Sequence, residues 1–171
     1  MKRRGLLTGL IATPLAGCGW HALYAPNADG TPGPAQAHLA EIFVPVIPER
    51  SGQLLRQALQ QRFEGADSGI PKRYNLAVAF GLAADALGIQ PDSTASRIRI
   101  IGNARWTLAS VATPPAILTT GATQIVDGYN ILDQQYFAAD IENSTVVRRI
   151  ADTLADQITL QLGGYFLAHP A

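Results

Sequence analysis

The apolar and polar positions divide the chain into an apolar leader, a proline-rich gap and a region that carries first strand and then helix periods. Lys2, Arg3 and Arg4 precede a mostly apolar run from Gly5 to Ala16, too short to cross a bilayer as a stable helix. Ala25 to Ala35 holds three prolines and two glycines, which resist helix and sheet alike, so it reads as a loop or tether. From His38 to Ile47, Ile42, Val44 and Val46 alternate with Glu41, Phe43 and Pro45. This predicts a first strand, at an edge or ending there because Pro45 cannot donate to a ladder. Ser51 is placed to cap a helix running to about Glu64, whose Leu55, Leu59 and Phe63 form one apolar stripe beside Ala58 and Arg62.

The cleanest alternation follows a loop from Gly65 to Lys72. Leu76, Val78, Phe80 and Leu82 face one way, and Asn75, Ala77, Ala79 and Gly81 face the other. After Gly88 to Ser93, a second long strand starts near Ser96. Ile98, Ile100, Trp106 and Leu108 share one parity, and Arg97, Arg99, Asn103, Arg105 and Thr107 share the other, unless a bulge near Gly102–Asn103 resets the register. A turn at Thr113-Pro114-Pro115 leads to a third long strand, Ile117 to about Tyr129, rich in Thr, Ile and Val. From Tyr136 to Leu162 the spacing becomes helical through Ala139, Val146, Val147, Ile150, Leu154, Ile158 and Leu162, and Gly163-Gly164 supplies a stop. Such a helix is ~40 Å long at 1.5 Å per residue. The order of strand, helix, three strands and helix predicts an α+β two-layer sandwich: a mostly antiparallel four-stranded sheet with two helices packed on one face.

The leader ends in Leu15-Ala16-Gly17-Cys18, and this changes the picture. The sequence resembles the lipobox of bacterial lipoproteins, in which the cysteine is lipidated and becomes the first mature residue. Only a thiol offers a sulfur nucleophile that takes a diacylglyceryl group as a stable thioether, and cleavage before it frees an amine for a further chain such as palmitate. Each buried methylene contributes ~0.8 kcal/mol, so two or more chains anchor stably. Residues 1–17 therefore read as signal peptide, 18–37 as lipidated N-terminus and tether, 38–164 as one domain, and 165–171 as a loose tail. Arg3-Arg4-Gly5-Leu6-Leu7 also looks like a twin-arginine export motif, which would alter the export route and not the destination. Gly19 stands where an aspartate would resemble an inner-membrane retention signal, so the lipobox resemblance implies the outer membrane.

Loss of the leader leaves 154 of the 171 residues, with ten basic against thirteen acidic side chains and a formal charge of −3. That balance argues against nucleic acid as a partner. Lys72 is the one lysine left, so the positive charge is carried by arginine. With Cys18 consumed by lipid, the chain has no cysteine for an internal disulfide. His21, His38 and His169 are far apart and no Cys or His spacing resembles a metal site. No nucleophile elbow, phosphate loop or dinucleotide fingerprint is present. The chain therefore reads as a non-enzyme whose only covalent group is lipid on Cys18.

Cys18-Gly19-Trp20-His21-Ala22-Leu23-Tyr24, followed by strand, helix, three strands and helix, is similar to the LptE family of lipopolysaccharide-assembly lipoproteins, and to its alphaproteobacterial branch in particular. The resemblance implies an outer-membrane lipoprotein facing the periplasm, which plugs and assists assembly of the LptD β-barrel and binds lipopolysaccharide. Arginine suits phosphorylated lipid A because its planar fork meets phosphate bidentately. On that reading Arg97, Arg99 and Arg105 form the candidate lipopolysaccharide-contacting set, with Lys72 and Arg73 a second cluster at the preceding loop. The competing reading is of ordinary solvated residues on an outer sheet face. Two other functions stay open: an auxiliary lipid-binding lipoprotein of an ABC-type phospholipid transport system, which calls for a deep apolar groove, and a lipoprotein hydrolase, which calls for a buried histidine beside a serine.

Overall fold

A computed structural model describes residues 29–31, 33–64, 69–89, 95–131 and 136–169. The leader, Cys18, and the aromatic segment with Trp20 and Tyr24 lie outside the described residues. The elements are α1 (Pro34–Ala40), β1 (Ile42–Phe43), α2 (Glu49–Glu64), β2 (Tyr74–Ile89), β3 (Ala95–Ser110), β4 (Ile117–Asn130) and α3 (Tyr136–Ala168). The strands lie in sequence order in one sheet. β2, β3 and β4 are antiparallel neighbours, and β1 joins β2 in parallel through Ile42 and Phe43. The architecture is thus the α+β two-layer arrangement that the periodicity predicts, with a mixed sheet.

The departures have local causes. The first strand is two residues long: Val44 and Ile47 turn inward while Val46 is 72% exposed, so the chain leaves the ladder before Pro45. Part of the proline-rich gap is helical. Pro34 occupies the first turn of α1, where a missing N–H is no loss, and Ala35, Leu39 and Ala40 are buried. Helix α2 begins at Glu49, in a left-handed conformation (φ 65°), so Ser51 lies inside the helix and does not cap it.

Helix α3 runs through Gly163-Gly164 to Ala168, where a stop and a loose tail are predicted. Each helical glycine costs ~1 kcal/mol relative to alanine, so the pair costs ~2 kcal/mol. Against that, Phe166 is buried on His38 and Tyr74, with ring centroids 5.0 and 5.2 Å away. Burial of such a ring contributes ~1.5–3 kcal/mol and offsets the glycine penalty. The 33-residue helix is ~50 Å long at 1.5 Å per residue, which matches the 14- and 16-residue strands beneath it at ~3.4 Å per residue.

The core lies between the sheet and the helices. Leu76, Ile100, Trp106 and Leu108 from the sheet meet Leu55, Leu59 and Phe63 of α2 and Ile150, Leu154, Ile158 and Leu162 of α3. Two glycines make room on the covered face of the sheet. A Cβ on Gly102 would collide with Ile150, and one on Gly121 with the indole of Trp106. The Trp106 Nε1–H is buried and has no hydrogen-bond partner among the described residues. Arg62 ties the two long helices together: its guanidinium donates to Asp156 Oδ1 (2.6 Å), to the Asp152 carbonyl (3.0 Å) and to its own helix at Ala58 (2.9 Å).

Candidate functional site

The helices cover one face of the sheet, and among the described residues no element covers the other. Strand alternation gives that open face to Asn75, Ala77, Ala79, Gly81, Ala83 and Asp85 of β2, and to Arg97, Arg99, Ile101, Asn103, Arg105 and Thr107 of β3. Thr120, Ala122, Gln124 and Val126 of β4 complete it. The register continues unbroken through Gly102 and Asn103, so no bulge resets it there. The irregularity falls between Leu108 and Ala109, beyond the arginines. All three β3 arginines therefore share the open face, as their common parity predicts.

They do not form one cluster. Arg97 and Arg99 stand near the start of β3, and Arg105 is six residues further on, ~20 Å along a strand. Arg99 meets its cross-strand neighbour Asp85, with Nη2–Oδ2 at 2.7 Å and both side chains about half exposed. Arg105 lies between Ala79 on β2 and Ala122 on β3's other neighbour, β4, and has no acidic or hydrogen-bonding partner among the described residues. Because those flanking side chains are single methyl groups, the sheet is recessed on both sides of the guanidinium. One shallow groove of about 630 Å³ runs past Gly81, Asn103 and Gln124, and another of about 690 Å³ past Ala77, Thr107 and Thr120. The Gln124 amide donates to Asn103 Oδ1 at 2.8 Å, which leaves the first groove a polar rim.

Lys72 and Arg73 lie at the opposite end of the sheet from Arg97 and Arg99, and both are engaged in the fold. The Lys72 ammonium donates to the Ala40 carbonyl at the end of α1 (2.9 Å), and Arg73 approaches Glu41 at 3.7 Å. Nearby, His38 has Glu41, Tyr74 and Phe166 as ring neighbours, none of them a serine. Burial pushes the Tyr74 phenol up from its ordinary value. The His169 ring donates from Nδ1 to the Tyr165 carbonyl one turn back (3.0 Å), and His21 lies outside the described residues. On the covered side, Arg149 Nε donates to Asp127 Oδ2 at 2.6 Å and holds that carboxyl below the usual carboxylate range, against a smaller opposing effect of burial.

Sequence reasoning missed Asp85, whose pairing with Arg99 depends on strand register, and the alanine floor around Arg105. The floor was visible in outline as the small-residue parity of Asn75, Ala77, Ala79 and Gly81. Chemically, the face offers two separated cationic points on a smooth, neutral ground of methyl, hydroxyl and amide groups. It fits an anion-bearing amphiphile or another flat polar surface. The grooves are open and mixed in character, unlike the deep apolar groove that a phospholipid carrier calls for.

The profile of the LptE lipopolysaccharide-assembly family matches residues 39–162. The fold is similar to that of a protein from Caulobacter crescentus CB15 described as a lipoprotein, at 22% identity, covering 78% of this chain and 96% of that one with a TM-score of 0.62. It is also similar to rare lipoprotein B from Shewanella oneidensis, at 13% identity, 74% and 95% coverage and a TM-score of 0.55. Lipoprotein B from Nitrosomonas europaea follows at 12% identity, 75% and 86% coverage and a TM-score of 0.51. At these identities the likeness is one of fold. No curated protein matches the sequence.

Proposed function

Because the chain belongs to the LptE family of lipopolysaccharide-assembly proteins, we propose that it is a non-enzymatic outer-membrane lipoprotein that plugs an LptD-type β-barrel. Lipid on Cys18 holds it to the membrane on the periplasmic side. It assists assembly of the barrel and binds lipopolysaccharide on the way to the outer leaflet. The observation that carries this reading, beside the family match, is the uncovered sheet face with its exposed Arg97, Arg99 and Arg105.

Physical chemistry supports each part. The lumen of a large outer-membrane barrel is polar, and threonine, asparagine, glutamine and arginine on a flat face suit contact with such a wall and its water. Lipopolysaccharide presents phosphate beside acyl chains. Arg105 supplies a fork for phosphate, and the alanine-floored grooves at its sides give an acyl chain room to lie against the sheet. Arg97 and Arg99 form a second cationic point, and Lys72 and Arg73 a more peripheral one.

The test is affinity purification of the full-length lipidated protein from detergent-solubilised outer membranes, with mass spectrometry of what accompanies it. A large β-barrel in one-to-one ratio, with lipopolysaccharide, is the expected result. The paired change Arg97→Glu/Arg99→Glu should then lower the retained lipopolysaccharide without changing the barrel ratio. A monomer carrying phospholipid and no barrel would overturn the reading and favour a phospholipid-transport auxiliary.

A further inference from the structure

The outer edge of β4 is a long strand edge, and among the described residues no other element pairs with it. Among the described residues, no backbone or side-chain group from another element bonds to the main chain of β4 on the side away from β3, although the Gly128 N–H takes its own neighbour's carboxylate, Asp127 Oδ1, at 2.7 Å. Unpaired edges invite another strand, and proteins usually blunt them with lysine, proline, an inward charge or a bulge. From Ile117 to Asn130 there is no lysine, arginine or proline. The single charge, Asp127, is an inward one near the end of the strand, and on the helix side it is paired with Arg149. The one irregularity lies at the start, opposite Leu108 and Ala109, so Thr119 to Asn130 run in regular register.

The other long strand at the sheet margin, β2, is different. Past Asn75 half of its residues are alanine or glycine, with Asp85 also on it and Gly88 turned to φ 63°, and such residues favour strand pairing least. On β4, by contrast, Thr120, Gln124 and Val126 stand exposed on the face that also carries Arg105. The edge is thus poor in charge, carries many β-branched residues and is continuous with the surface assigned above to the barrel.

We infer that β4 is a strand-addition edge, on which an extended, uncharged segment of the barrel partner pairs as a fifth strand beside Thr119–Asn130. This rests on the barrel reading above and adds the manner of contact. The walls of a closed barrel have all their strands paired. The segment must therefore be one not yet paired in the wall: a strand before closure, or a loop folded inward. Backbone bonds give the contact its strength, and alternate side chains give it register.

Register also supplies the test. In cells making the full-length lipidated protein, cysteines are placed singly at Thr120, Ala122, Gln124 and Val126, with Leu160 on the exposed side of α3 as a control. The partner segment is first located by photocrosslinking from the same positions, and cysteines are then scanned along it. Adjacent strands bring Cβ atoms within disulfide reach only for facing residues. The expected result is a ladder in which each two-residue step on β4 moves the crosslink two residues along the partner. Val126→Lys should reduce barrel recovery several-fold while leaving the melting temperature unchanged. A co-purifying barrel with no stepped register, or with crosslinks from Leu160 as strong as those from β4, overturns strand addition and leaves the barrel reading standing. Crosslinks only to a second copy of this chain also overturn it. If the unmodified protein recovers no barrel, the barrel reading itself fails, and strand addition with it.

Discussion

Arg105 should matter more to lipopolysaccharide binding than Arg99, although the two are the same residue type on the same strand face. Arg105 has no partner among the described residues, so its whole fork is available to a phosphate. A hydrogen bond to a charged group contributes ~1.5–3 kcal/mol, and exposure in an open groove places this one at the lower end. Arg105→Ala should therefore raise the Kd ~10-fold, since tenfold corresponds to ~1.4 kcal/mol. Arg99 already holds Asp85 at 2.7 Å. An exposed pair of that kind contributes ~0.2–1 kcal/mol, which a phosphate must displace, so Arg99→Ala should cost only a few-fold. By the same reasoning Asp85→Asn, which releases Arg99, should tighten binding ~1.4–5-fold. The assay is titration of labelled lipopolysaccharide against the purified lipidated protein in detergent, at two salt concentrations. Binding by Arg105→Ala equal to the parent, or weakened by Asp85→Asn, would refute the reasoning.

Other substitutions test the fold and the anchor. Gly121→Ala pushes a methyl into the Trp106 indole and should cost ~1–3 kcal/mol by overpacking, read as a lower thermal midpoint by circular dichroism. Gly81→Ala, where a methyl meets nothing within 4 Å, should leave it unchanged or slightly higher. The Asp127 carboxyl is held below its ordinary value by Arg149, so its contribution to stability is present above pH ~4 and is lost as pH falls through the lowered folded-state value. Asp127→Asn should flatten that acid loss, measured as urea midpoints at pH 7 and pH 3, and its cost at pH 7 should stay within ~1 kcal/mol because Arg149 is about half exposed to screening solvent. Cys18→Ser should abolish incorporation of labelled palmitate and release the protein from the membrane fraction.

What the sequence reveals depends on how each element meets its neighbours. A sheet covered on one side only imprints a period of two, so Leu76, Val78 and Phe80 against Ala77 and Ala79 disclose both the strand and the side that stays open. The same parity places Arg97, Arg99 and Arg105 correctly. The Asp85–Arg99 pair is hidden because it depends on which residue of one strand faces which of the next, and no local pattern carries that. Helix ends are hidden for a related reason. Gly163-Gly164 is a valid stop signal by propensity, and it is overridden by Phe166 packing on His38 and Tyr74, residues 128 and 92 positions away.

The five basic residues singled out from sequence divide along this line. Lys72 and Arg73 sit where α1 and β2 meet, and their partners, the Ala40 carbonyl and Glu41, come from a short helix concealed in a proline-rich stretch. Their charge is spent partly on holding that junction together. Among the described residues Arg97 and Arg105 gain no such bond, because the residues beside them on β2 and β4 are Leu87, Asn130, Ala79 and Ala122, which offer no carboxylate, and Arg97 acts on Asp127 only through its charge. An exposed arginine with nothing opposite it contributes little to folding, whereas one beside an acid or a carbonyl contributes through that bond. Replacement of Arg97 or Arg105 should thus leave stability nearly unchanged, and any effect it has on lipopolysaccharide belongs to recognition.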